Sequence, residues 1–488
     1  MRHRFPLWLI ILLTLIGYGL TAVFFPLAPH FNHTPLPDIR SFTPSLGLGL
    51  LYALGLLLLY WLYWQASRQA PRLWLILATA VLFALPLLIT FPFNATDVYR
   101  YFIRGRVSSI YGENPFTQPP SAFTQDPFWQ LAGEWSSETS PYGPIWEMTA
   151  TAVTALAQNY LYIALLLFKL IGLLTHLLIA LLIWHLLAGR PLAARQRAAL
   201  LWAWNPALLF TFVVDAHNDG LMLLWLLLGY WLAQFGPRRW PPAVRLALGF
   251  TAICLAPLTK PIGLLALPFF FLAFWRQLGP PERGRGAGER LHFLLLSIVG
   301  GLAVLIVAFL PFGSPLALAA RLLREAGEGG GFSVTTLLLL LNQRLQWGLS
   351  WGLLTNLLRV VAGVWGLWLL WRTWNGRSPH RAVANIFNLY ILQALNFRIW
   401  YSVWAVPFLL LAVEEQESGG ELPDYPITDS RLRSGLTFLL TAQLSVLIYG
   451  HLRVYALAGD HFPAHLLGVP FTFGLPVLVG WYYGRFRS

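Results

Sequence analysis

The chain has 488 residues, of which 57% are hydrophobic before the 41 glycines are counted and only 11% are charged. Soluble domains carry about 25% charged residues; this chain folded in water would lack the polar groups to cover itself, which excludes a soluble enzyme and requires a polytopic membrane protein. The net charge of +13 comes almost wholly from arginines at the ends of apolar segments, a pattern of membrane topology that excludes nucleic acid as the partner.

Crossing a hydrocarbon core about 30 Å thick takes about 20 apolar residues per helix. Candidate segments lie at roughly 7–25, 46–65, 73–92, 160–188, 198–215, 219–236, 244–258, 261–275, 293–312, 352–371, 382–397, 400–413, 434–451 and 466–482. The expected fold is therefore all-α: one integral membrane helix bundle over residues 1–488, with about fourteen transmembrane or partly inserted helices. The first segment follows Arg2 and Arg4 but has no A-x-A site after it, and is expected to be a retained anchor. An even number of crossings puts both termini on one side. If that side is cytoplasmic, every even-numbered connection is basic, among them Arg68 and Arg72, then Arg190, Arg195 and Arg197, and then Arg372, Arg377 and Arg381. The positive-inside rule thus predicts cytoplasmic termini in the plasma (inner) membrane. The only cysteine, Cys254, forms no intrachain disulfide.

Two connections, 93–159 and 313–351, are long enough to hold structure of their own outside. The first mixes aromatics, prolines and polar residues and is expected to be an external catalytic loop with short interfacial helices. The cytoplasmic loops 276–292 and 414–433 are rich in Pro or Gly, one basic and one acidic, and read as solvated linkers.

Where the third apolar span ends, the chain reads Thr96-Asp97-Val98-Tyr99-Arg100-Tyr101-Phe102-Ile103-Arg104. Thr96 suits a helix cap, and helical spacing sets Asp97, Arg100, Tyr101 and Arg104 on one face. An interfacial helix with an acidic first turn and arginines reaching lipid headgroups has the same spacing, so spacing alone leaves both readings open. Asp215-Ala216-His217-Asn218-Asp219-Gly220 joins the fifth and sixth spans; Asp219 suits a cap, whereas His217 offers a hydrogen bond or a charge to a phosphate. Lys260, in Pro257-Leu258-Thr259-Lys260-Pro261, is set below the surface by short apolar runs, where an ammonium needs an anion or a route to headgroups. Lys169, the other lysine, lies mid-span with His176 seven residues on and is expected to pair within the bundle. Arg398-Ile399-Trp400-Tyr401 is either an aromatic belt or a contact for sugar or lipid phosphate.

Asp97, His217, Asp219, Lys260 and Arg398 come from five separate connections or span ends, all assigned to the outer side. A carboxylate among cations at a membrane surface suits reaction of a hydroxyl with a lipid-borne phosphate ester. A secondary transporter or flippase is the competing class; it predicts pseudo-symmetric halves with polar groups at the midplane. Walker, Rossmann, H-E-x-x-H and metal-spaced Cys/His motifs are absent from the sequence, so no cofactor and no divalent metal is expected.

The runs Thr96–Tyr101, Glu113–Phe116, Pro141–Pro144, Trp204–Pro206, Ala216–Met222, Lys260-Pro261 and Trp400–Ala405 together resemble bacterial polyprenol-phosphate-mannose-dependent alpha-1,6-mannosyltransferases of the GT-C superfamily. The resemblance covers roughly 90–410 in the same order. It implies a GT-C-like bundle, a polyprenyl-phosphate-linked sugar as donor held among membrane lipid, and a glycan or glycolipid acceptor. It further implies Asp97 as catalytic base, with Arg100, Arg104, Tyr142, His217, Asn218, Asp219, Lys260, Trp400 and Tyr401 as substrate-binding residues. A single Asp replaces the paired acidic motif of many GT-C enzymes, which leaves any metal role undecided, and a transferase for another lipid-linked sugar fits nearly as well.

Overall fold

The computed structural model describes residues 5–237, 239–279, 285–325, 331–413 and 429–486. Among them the chain is all α, with no strand and one isolated bridge between Pro26 and Thr90. Eight helices are long and apolar enough to cross a membrane: Leu7–Phe24, Leu46–Ser67, Leu161–Leu186, Pro242–Thr259, Ala287–Phe309, Trp351–Trp374, Ser430–Tyr455 and His461–Arg485. Leu192–Ala203 and Pro206–Val214, bent by 49°, add a ninth if they form one span. Four further expected crossings, Leu73–Leu88, Asp219–Phe235, Pro261–Gln277 and Ile399–Leu411, are shorter apolar helices. The helix Pro379–Gln393 is also short and carries His380, Arg381, Asn385 and Asn388. The protein is a polytopic integral membrane helix bundle, and Leu and Trp side chains on its outer helices, Trp365, Trp368 and Trp371 among them, are exposed where lipid would lie.

Three local features carry polar residues into the bundle. The Leu73–Leu88 helix ends in an irregular connection that leads into the helix Asp97–Ser109. Thr96 does not cap that helix: its backbone is not extended and its side chain makes no capping bond. The fifth predicted span is broken at Asn205-Pro206, where the Asn205 Oδ1 accepts from the N–H groups of Ala207 and Leu208 at 3.0 and 3.4 Å and Pro206 starts the new turn. A π-turn, Phe210–Val214, and a left-handed Ala216 (φ 55°) then redirect the chain; π-turns within helical segments are rare and gather at functional sites. At 254–260 the helix Leu255–Thr259 ends at an extended Lys260 held between short helical pieces.

Residues 93–159 contain the helices Asp97–Ser109 and Pro144–Ala157 with two short 3-10 turns between them. Arg106 knits this segment together: it bonds Asp126 Oδ2 at 2.8 Å, the Gln158 carbonyl at 2.7 Å and Asn159 Oδ1 at 3.1 Å. A small apolar cluster of Phe116, Leu258, Phe309, Phe312 and Leu318 seats it on the Ala287–Phe309 helix, and Arg321 bonds Glu138. Gly143 allows a close backbone approach. A Cβ there would stand 2.1 Å from the Leu258 carbonyl oxygen, and the Gly143 N–H donates to the Thr259 carbonyl at 3.0 Å. Of the two linker loops expected in the cytoplasm, 280–284 and 414–428 lie outside the described residues, and their remainders run into helices beginning at Arg285 and Ser430.

Candidate active site

Asp97 opens its helix and is 5% exposed. Arg100, one turn on, donates to its Oδ1 at 2.6 Å, and the His217 Nδ1 lies 3.7 Å from its Oδ2. The same imidazole nitrogen lies 3.8 Å from Asp219 Oδ2, so His217 stands between two carboxylates from different elements without a hydrogen bond to either. Asp219 in turn accepts from Lys260 Nζ at 2.8 Å on both oxygens and from the Trp404 indole N–H. Asp219 is therefore not a helix cap; Asn218 occupies the cap position without a side-chain bond, and Asp219 is the anion that the sunken Lys260 needs. A buried pair of this kind is stable only when its remaining lone pairs are also bonded, which Trp404 provides.

Aromatic rings floor the chain of charges. His217 stacks on Trp400 with ring centroids 4.1 Å apart, and Tyr401 stacks on Trp404 at 4.3 Å. Lys260 Nζ lies 5.8 Å from the centroids of both Tyr401 and Trp404, and the Arg398 guanidinium lies 6.0 Å from Trp400. Opposite, Arg100 faces the Trp135 ring at 5.1 Å. Asp97, Arg100, His217, Asn218, Asp219, Lys260, Trp400 and Tyr401 thus form one continuous site.

Arg104 and Tyr142 stand at its edge. Arg104 is buried, faces the Tyr142 ring at 5.8 Å and reaches the Glu138 and Thr139 carbonyls only at 3.4 Å. Tyr142 packs edge-on against Tyr101, with centroids 5.2 Å apart, and its N–H donates to the Ser140 Oγ at 3.1 Å. Two contributors are absent from the site residues that the resemblance implies: Glu147 is buried and accepts from Ser140, and Trp404 holds Asp219. Trp404 was legible in principle, since it stands one helical turn after Trp400.

The electrostatics separate the ionisable groups. Burial acts to raise the Asp97 carboxyl, but Arg100 above all, then His217, Arg398 and Lys260, outweigh burial and hold it below the ordinary carboxylate value. Burial pushes the His217 imidazole down to about 4 against the pull of Asp97 and Asp219. His217 is therefore neutral at pH 7 and contributes a donor and an acceptor in place of a charge. Burial raises the Glu147 carboxyl, with Ser140 and Arg104 pulling the other way. Arg398 and Arg104 have no carboxylate within ion-pair distance among the described residues. Both ring nitrogens of His217 and both amide atoms of Asn218 are buried without a hydrogen-bond partner, as are Arg104 Nε, Tyr101 Oη and Glu147 Oε2, which leaves polar capacity for a ligand. Among the described residues, no group of three or more His, Cys, Asp and Glu is placed to hold a metal ion.

Fold and site together define a polytopic membrane protein with a carboxylate, neutral imidazole and surplus cations gathered over an aromatic floor. Residues 9–276 match the model of the family described as alpha-(1->6)-mannopyranosyltransferase, N-terminal domain. The chain belongs to that family. Similar proteins include a probable alpha-(1->6)-mannopyranosyltransferase of Mycolicibacterium smegmatis, 29% identical over 227 residues covering 41% of this chain and 40% of that protein. Alpha-(1->6)-mannopyranosyltransferase B of Corynebacterium glutamicum is 26% identical over 225 residues, 44% of this chain and 36% of that one. Alpha-(1->6)-mannopyranosyltransferase A of Mycobacterium tuberculosis is 27% identical over 203 residues, 41% of this chain and 37% of that one. The chain thus matches two fifths or less of the length of these relatives, and no solved structure matches it. The family match contains Asp97 through Lys260 and stops before Arg398, Trp400, Tyr401 and Trp404.

Proposed function

We propose that this protein is an inverting glycosyltransferase that moves a hexose, mannose in the first instance, from a polyprenyl-phosphate sugar to a hydroxyl of a glycan or glycolipid acceptor at the outer face of the plasma membrane. The observation that carries the reading is Asp97: a buried carboxylate kept ionised by Arg100, with its second oxygen turned toward His217. In this mechanism Asp97 accepts the proton of the acceptor hydroxyl as that oxygen attacks the anomeric carbon. The bond from the anomeric carbon to the phosphate oxygen breaks, and its electron pair leaves with the lipid phosphate. A single displacement inverts the centre, so a beta-linked donor gives an alpha-linked product.

A phosphate monoester carries a charge of about −1.5 to −2 at neutral pH, more than the diester it comes from, so the site must favour added negative charge. Arg100 and Lys260 each pair with a carboxylate, whereas Arg398 and Arg104 have none within ion-pair distance among the described residues and add positive charge to the site. Neutral His217 and Asn218 complete the phosphate contacts by hydrogen bonding, and Tyr142, Trp400 and Tyr401 are placed to stack on sugar or acceptor. No step is assigned to a metal. The purified protein in lipid, given radiolabelled polyprenyl-phosphate mannose and a glycolipid acceptor, should yield a labelled product whose linkage analysis returns an alpha-1,6 bond. Asp97→Asn should bind donor and transfer nothing; normal turnover in that variant would remove Asp97 as the base.

A further inference from the structure

At the end of the bundle away from Asp97 the structure holds a cavity of about 360 Å³, within the range of about 300–1,000 Å³ that small-molecule sites occupy. Four helix ends enclose it. Leu186 and Arg190 come from the end of the Leu161–Leu186 helix and the turn after it, Gln234 from the end of Asp219–Phe235, Leu411 from the end of Ile399–Leu411, and His380 from the start of Pro379–Gln393. Asp219 begins the second of these helices, so Phe235, which ends it and also lines the cavity, is about 24 Å away at 1.5 Å per residue. On the arginine pattern of the sequence this end faces the cytoplasm.

The lining divides by chemistry. Leu186, Phe235 and Leu411 are apolar, Arg190 brings positive charge, and no carboxylate lines the cavity among the described residues. Arg190 donates to the Val413 carbonyl at 3.1 Å, which holds its guanidinium in place. His380 is 8% exposed and boxed by rings: the centroids of Tyr230, Phe270 and Phe408 lie 4.4, 6.1 and 6.4 Å from its own. Its Nδ1 is nonetheless buried with no hydrogen-bond partner, a costly arrangement unless something else supplies one. Lys169, the buried cation expected to pair within the bundle, does so through backbone, donating to the Thr90 carbonyl at 2.6 Å. His380 is also the second residue of a 15-residue helix whose cap residue, Ser378, makes no side-chain capping bond. The positive end of that helix and its first N–H groups therefore come to the same place.

We propose that this cavity binds the phosphate of an anionic lipid head from the inner leaflet, with Arg190, His380 and the start of the Pro379–Gln393 helix on the phosphate and Leu186, Phe235 and Leu411 along the glycerol and first acyl carbons. The inference does not depend on the transfer reaction. A guanidinium beside a helix N-terminus is a combination that binds phosphate, and the apolar lining is what a lipid uses and a free phosphate does not. Two of the enclosing segments, Asp219–Phe235 and Ile399–Leu411, carry Asp219 and Trp404 toward their other ends. A lipid seated here ties those segments together and stabilises the folded bundle by mass action.

The test uses the full-length protein in a neutral detergent, titrated with phosphatidylglycerol, phosphatidylcholine or sodium phosphate, with binding followed by native mass spectrometry and by thermal melting. Phosphatidylglycerol should bind about tenfold more tightly than zwitterionic phosphatidylcholine and raise the melting temperature; inorganic phosphate at the same concentration should not raise it. Arg190→Gln should weaken phosphatidylglycerol about tenfold, and His380→Phe, which keeps the ring packing and removes the nitrogens, about fivefold. Arg68→Gln, at an exposed arginine assigned to the same side, should leave the affinity unchanged. An equal loss in Arg68→Gln would show general attraction to a basic surface, and unchanged affinity in either Arg190→Gln or His380→Phe would show that the lipid binds elsewhere. Each of these results overturns the site, as does stabilisation by inorganic phosphate equal to that by phosphatidylglycerol. If Arg190→Gln does not fold, His380→Phe decides.

Discussion

In the proposed mechanism Asp97 is the base, and its neighbours set the pH range in which it is ionised. A base whose carboxyl is held below the ordinary value stays ionised through the neutral range and is lost only as pH falls through that depressed value. The acid limb of kcat/KM should therefore lie below the ordinary carboxylate range. Arg100→Gln removes the largest attractive charge and should move that limb to higher pH; a limb that stays put would show that Arg100 does not tune Asp97. His217 contributes as a neutral hydrogen-bonding group, so His217→Ala should raise donor KM or lower kcat by about tenfold, as loss of a hydrogen bond worth roughly 1–2 kcal/mol would. Unchanged kinetics would separate His217 from the phosphate. At this scale the sequence was informative where a polar residue was expensive: Asp97, His217, Asp219 and Lys260 stand out because apolar runs flank them. It could not divide the labour among them. The Lys260–Asp219 bond joins residues 41 positions apart, and no local spacing reports such a partner.

Elements place these groups by breaking regular structure where charge must enter the bundle. The bend at Asn205-Pro206, the π-turn at Phe210–Val214 and the extended Lys260 each interrupt a helix, and each was foreshadowed by a proline or a polar run. Helix spacing predicted the shared face of Asp97 and Arg100 correctly. Thr96 does not cap because its backbone is not extended, and Asp219 does not because a tertiary partner is stronger than a local one: it faces an ammonium and an indole N–H, against which a backbone cap offers less. The seat of residues 141–144 on 258–260 depends on Gly143. Gly143→Ala places a methyl group against a backbone carbonyl that cannot yield as a side chain would. It should destabilise the protein by about 1–3 kcal/mol and lower turnover by displacing Lys260; a melting temperature and kcat equal to those of the unaltered protein would show that this approach is not required.

For the whole molecule, the all-α membrane bundle was legible from composition alone, because 11% charged residues cannot cover a water-facing surface. The number of full crossings was less so. The apolar runs Leu73–Leu88, Asp219–Phe235 and Ile399–Leu411 form helices of 13 to 17 residues, and hydropathy does not tell a short buried helix from a span. Sidedness follows from arginine placement and is testable directly. A reporter active only outside the cytoplasm should report when fused after Glu138 and stay silent after Gln277; the reverse pattern would invert the topology and the outer-face reading with it.

The tie from Trp404 to Asp219 also has a meaning in time. The chain enters the bilayer from its N-terminus onward, so everything as far as Lys260 is in place before the Trp400–Trp404 floor leaves the ribosome. Until then, Asp219 and His217 have only part of their final company. The reactive centre is finished late, by a stretch that the family match does not include. A nascent polypeptide halted after Lys260 would hold Asp97, His217, Asp219 and Lys260 without the Trp400–Trp404 floor and, on the proposed reading, should transfer nothing.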